Sequence, residues 1–168
     1  MRKFKRIVAI LAAAALSVTV MAGCSSNGGT SGGSDAQAVK MINIPLTNEE
    51  YAFGVDKDQP ELLEEVNAFI ADIKSDGTLE EILNKYFEGG TPEAVVSAEL
   101  DTSKDQLVVA TNAAFEPFEY TLSTGNEYYG VDMELAKLLA DRLGQELVIQ
   151  NMNFDAVCLS VGQHQCDI

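Results

Sequence analysis

The chain has 168 residues, 46% of them hydrophobic, with 26 Asp and Glu against 11 Lys and Arg and a formal net charge of −15 at pH 7. That acidity excludes a nucleic-acid partner, which is bound through basic surface, and disfavours lying flat on anionic lipid. The apolar content and the periodic segments after residue 40 exclude a disordered chain, and the length allows one core.

Residues 1–23 read as a targeting segment. Arg2, Lys3, Lys5 and Arg6 precede an uncharged run from Ile7 to Ala22, too short for the roughly 20 apolar residues of a spanning helix. Met21-Ala22-Gly23-Cys24 resembles a bacterial lipobox, which implies cleavage before Cys24 and lipidation of its thiol. Residues 24–40 then form a tether, because Ser25 to Ser34 is almost entirely Ser, Gly, Asn and Thr, a composition that stays flexible coil. The expected location is the outer face of the bacterial cell membrane, or the periplasm, with the lipid anchor as the membrane contact.

Met41 to Pro45 and Tyr51 to Val55 read as strands. Pro60 opens a helix whose Leu62, Val66, Phe69, Ile70 and Ile73 share one face, and Gly77 closes it. Thr78 and Glu81 have the spacing of a capping box, which starts a second helix striped by Leu79, Ile82, Leu83, Tyr86 and Phe87. Gly89 and Gly90 stop it. Residues 91–106 carry no firm period and read as a connector.

Leu107 to Thr111 is a β-branched run suited to a strand buried on both faces. A loop over Asn112 to Tyr120 follows, then a helix from Asp132 as N-cap to Leu143, ended by Gly144. Leu147 to Gln150 is the next strand and Asp155 to Val161 a short helix. The alternation predicts an α/β fold with an open, mostly parallel sheet flanked by helices. Ligands bind such sheets beyond the carboxyl ends of the strands, which puts Asn112, Phe115 and Phe118 on the same crevice as Asn153 and Phe154.

Little else suggests chemistry. Glu116 and Glu119 have no nucleophile or base beside them and do not read as an acid–base pair. Cys158, His164 and Cys166 lack a metal-site spacing, and there is no phosphate loop or dinucleotide fingerprint, so no cofactor or metal is expected. The two cysteines read as structural thiols or, in an oxidising compartment, as a disulfide.

Three blocks in this order, Leu107-Val-Val-Ala-Thr-Asn-Ala-Ala-Phe-Glu-Pro-Phe-Glu-Tyr120, Tyr129-Gly-Val-Asp-Met-Glu-Leu-Ala-Lys137 and Asn151-Met-Asn-Phe-Asp155, resemble the beginning of the mature extracellular solute-binding proteins, family 3. That family serves polar amino-acid ABC transporters and has the type 2 periplasmic-binding fold of two lobes. Ile44-Pro-Leu-Thr-Asn-Glu-Glu-Tyr-Ala-Phe-Gly-Val-Asp-Lys57, through Leu83-Asn-Lys-Tyr-Phe87, resembles the family's end. The order is inverted. The resemblance therefore implies a circularly permuted lobe one, with 41–90 as a C-terminal-type segment, 91–106 as the new connector and 107–168 as an incomplete N-terminal-type segment, the second lobe being absent.

By the same resemblance, Phe115 lies against the ligand's side chain, Phe154 forms a second wall with Phe118 nearby, and Asn112 makes a polar contact where many members carry Asp. No residue takes the role of the family's carboxylate-clamping arginine, since Arg142 falls on an exposed helix face. The implied partners are a small ligand, an amino acid in this family, and an ABC permease; the implied role is capture without bond chemistry. Alternatives on the same fold are a cyclohexadienyl dehydratase-like lyase, the sensing ectodomain of a receptor, and a remnant of two adjacent genes.

Overall fold

The computed structural model describes Ile44 and residues 49–168. The targeting segment, Cys24, the tether and, Ile44 apart, the strand expected over Met41 to Pro45 lie outside the described residues. Within the unit Glu49–Ile168, helix α1 (Pro60–Ser75) begins on its proline, whose missing N–H has no partner to lose in a first turn. It buries Val66, Phe69 and Ile73, as the stripe predicts. Gly77, at φ 89°, turns the chain through the left-handed region, and α2 (Thr78–Phe87) follows at once.

The expected capping box does not form. Gly77 takes the N-cap position, so Thr78 already lies in the first turn and its N–H donates to Asp76 Oδ1 at 2.9 Å. Asp76 does the capping, and the bond from the Thr78 N–H holds its carboxyl below the usual carboxylate range.

After α2 come β1 (Val95–Val96), β2 (Gln106–Thr111), β3 (Ala114–Phe115), β4 (Glu119–Tyr120), β5 (Glu127–Tyr128), α3 (Val131–Leu143), β6 (Glu146–Asn151) and α4 (Phe154–Gly162). β2 and β6 pair in parallel from Gln106 opposite Glu146 to Thr111 opposite Asn151, with α3 as the crossover. The pairing extends on both sides. Ile168 N–H donates to Val108 O, and Ala110 N–H donates to Ile168 O, the spacing of a parallel neighbour on the outer edge of β2. Along β6, Ala98 N–H donates to Leu147 O at 2.8 Å, and Ile149 N–H donates to Ser97 Oγ at 2.8 Å. Two antiparallel ladders, β1 with β5 and β3 with β4, sit beside this sheet.

Two expectations change for one reason. Residues 91–106 are more than a connector, because β1 pairs with β5 and Ser97 and Ala98 bond to the edge of β6. Tyr51 to Val55 forms no strand, because both outer edges of the parallel pair are already taken. A third change lies at α3, where Gly130 rather than Asp132 is the N-cap. Gly130 has φ 127°, and a Cβ there would stand 2.0 Å from Phe118 O, so only glycine fits this turn.

One hydrophobic core joins both halves of the sequence: Val66, Phe69, Ile73 and Ile82 pack with Leu107, Val109, Met133, Leu139 and Ile149. A polar seam backs it. Tyr86 OH donates to Glu134 Oε1 at 2.8 Å and accepts Gly130 N–H at 3.1 Å, while Lys85 Nζ reaches Glu134 Oε2 at 2.6 Å. Arg142, on its helix face, pairs with Asp72 on α1 at 2.7 Å.

Candidate functional site

The carboxyl ends of β2 and β6 are fastened together. Met152 N–H donates to Thr111 O at 2.9 Å, Asn112 Nδ2 donates to Met152 O at 2.8 Å, and Ala113 N–H donates to Asn151 Oδ1 at 3.0 Å. Beside this junction lies a cleft of about 500 Å³, within the size range of small-molecule sites. Its apolar walls come from Phe53 and Val55 of the irregular segment and from Phe154, Val157 and Val161 of α4. Thr111, Asn112, Glu119 and Asp132 supply polar groups, and Asp56 and Lys57 complete the charged lining.

Glu119 and Asp132 meet because the start of α3 is tied to the loop before β4: Val131 N–H donates to Pro117 O at 3.1 Å and Asp132 N–H to Phe118 O at 2.9 Å. Their carboxyls are hydrogen-bonded to each other. Burial, then the charge of Asp132 and the bond to it, pushes Glu119 up to about 7. Burial likewise raises Asp132. Two carboxyls this close hold a proton between them near neutrality, because two buried negative charges repel. The pair is a ready partner for a cation.

Of the four residues expected at the site, Asn112 and Phe154 line the cleft and Phe115 and Phe118 do not. Phe154 is 77% exposed at the cleft edge, with most of its ring open to a partner. Phe118 is the centre of an aromatic stack, with Tyr51 at 4.5 Å, Phe115 at 5.5 Å and Phe87 edge-on at 5.9 Å. It packs on the core, whereas Phe115 remains half exposed next to it. Sequence reasoning missed Glu119, set aside for want of a nucleophile or base beside it, and Asp132, taken for a cap. No spacing marks them; Gly130, the one residue that permits the close turn, was the available sign. Cys158, on the cleft wall, is an exposed free thiol, and Cys166 a buried one whose pKa burial raises.

The sequence profile of bacterial extracellular solute-binding proteins, family 3, matches residues 4–89 and 107–168. The chain belongs to this family. Among relatives of this family 3 protein, the probable ABC transporter arginine-binding protein ArtJ of Chlamydia trachomatis serovar D is 36% identical over 67 residues, 40% of this chain. The arginine-binding extracellular protein ArtP of Bacillus subtilis is 35% identical over 68 residues, again 40% of this chain. In both, the match spans 26% of the relative's own length. Both relatives are named for arginine binding, and ArtJ also for an ABC transporter. As a family 3 member the chain has the α/β architecture described above.

Proposed function

We propose that the protein is the substrate-binding lipoprotein of an ABC importer and that its cleft receives a polar amino acid with a cationic side chain. The observation that carries the ligand class is the Glu119 and Asp132 pair, set among apolar walls that suit an aliphatic stem. The names of the two relatives, both arginine-binding, point the same way. Asn112 and Phe154 contribute a polar contact and a wall. Cys24, lipidated after removal of residues 1–23, holds the protein to the outer face of the membrane, where it delivers solute to a permease.

The domain order belongs to the same reading. Residues 41–90 act as a C-terminal-type segment of lobe one set before the N-terminal-type segment 107–168. The profile match, broken between 89 and 107, supports this, as does the shared core.

Calorimetry on the whole exported protein tests the ligand class. Arginine and lysine should bind, more tightly at pH 8 than at pH 5.5, because the cation must displace the shared proton. Glu119→Gln should weaken both by about 1–3 kcal/mol, the effect of removing one partner of a charged hydrogen bond. Preference for glutamate, or affinity independent of Glu119, would overturn the cationic assignment. Diacylglycerol on Cys24, read by mass spectrometry and lost in Cys24→Ser, tests the anchor.

A further inference from the structure

Two turns from opposite halves of the sequence meet at the rim of the cleft. Asp56 and Asp58 sit before α1 and His164 sits after α4; one carboxylate oxygen from each aspartate and one ring nitrogen of the histidine lie within 4.8 Å of one another. Each turn is fixed by its own backbone, since Gln59 N–H donates to Asp56 O at 3.0 Å and His164 N–H to Val161 O at 3.0 Å. Asp56 Oδ1 accepts Asp58 N–H at 2.7 Å, and Asp58 Oδ2 pairs with Lys57 Nζ at 3.0 Å. Both members of that ion pair are largely exposed, where such a pair contributes little. A dication therefore competes with the Lys57 ammonium on favourable terms.

We propose that Asp56, Asp58 and His164 form a binding site for a divalent first-row cation, zinc foremost. One imidazole nitrogen with two carboxylate oxygens suits ions of borderline hardness, rather than calcium, which takes six to eight oxygens, or copper(I), which seeks thiolates. Tetrahedral bonds of about 2.0–2.2 Å place donors about 3.4 Å apart, a contraction that the exposed Asp58 and His164 side chains make by rotation. Three protein ligands leave one position open.

The site is built by the fold alone, because nothing in the separation of residue 58 from residue 164 signals it. It also answers an imbalance in the cleft, whose charged lining is Asp56, Glu119 and Asp132 against Lys57 alone. A cation held at Asp56 adds positive charge at the rim, where the carboxylate of a zwitterion needs it, and ties the segment before α1 to the end of α4. The metal site does not depend on the transport reading.

The test is titration of the metal-free, full-length protein with zinc chloride and no amino acid present. Calorimetry should show one equivalent bound at micromolar affinity, with a rise in Tm. His164→Ala and Asp58→Asn, both at exposed positions, should each weaken binding at least about tenfold, while circular dichroism of the metal-free variants shows the native fold. Zinc affinity unchanged in both variants overturns the proposal. So does a cobalt(II) complex with an intense thiolate charge-transfer band, which would assign the metal to Cys158.

Discussion

Glu119 and Asp132 show how one residue's titration depends on the fold. A carboxyl whose pKa is raised in the folded state binds its proton more tightly there than in the unfolded chain. Its contribution to stability is complete below the ordinary carboxylate range and is lost as pH rises through about 7 for Glu119. Thermal unfolding should therefore show Tm falling between pH 5 and pH 8, and Glu119→Gln should flatten that fall; a slope identical in the variant would disprove the shared proton. Gly130 acts at the same scale through sterics. Gly130→Ala sets a methyl group against Phe118 O at a φ that side chains avoid, so urea denaturation should register a loss of at least about 2 kcal/mol.

Between elements, the seam of α2 and α3 rests on one phenol. Tyr86 OH donates to Glu134 and accepts from Gly130 N–H, and burial with the bond to Glu134 raises its pKa, so it stays a neutral donor. Tyr86→Phe leaves a half-buried carboxylate and an amide short of partners and should cost about 1–3 kcal/mol by chemical denaturation; a neutral effect would show that water replaces the hydroxyl. Helices were the legible part of this sequence, because Val66, Phe69 and Ile73 repeat with helical period and Pro60, Gly77 and Gly144 punctuate them. β2 and β6 were legible as apolar runs. β1 and the sheet edge at Ser97 were not, since two valines carry no period and a serine hydroxyl accepting a backbone N–H looks like any loop serine. Caps misled for a related reason: Thr78 and Asp132 have capping chemistry, but glycines with positive φ precede both and take the cap position. Asn112 and Phe154 were expected at the cleft because they follow strand ends, and both line it, whereas the meeting of Glu119 and Asp132 depends on the close turn at Gly130.

For the unit as a whole, the decisive fact is that residues before 90 and residues after 106 share one core. Phe69 on α1 is 3% exposed and packs in that core with Leu107 and Ile149. Neither half buries its own apolar face alone, so cooperativity should cross the intervening segment. Phe69→Ala should cost about 3–5 kcal/mol and lower the stability of β2 and β6 equally, as read by hydrogen exchange at Val108 and Val148. Residues 49–90 and 91–168 made as separate chains should each lack a cooperative transition and regain one when mixed, because the polar seam and the core supply a specific interface while cutting the link removes only chain connectivity. Independent folding of 91–168, with native exchange protection in β2 and β6, would show that α1 and α2 are an accessory layer, and the permuted-lobe reading would then lose its physical support.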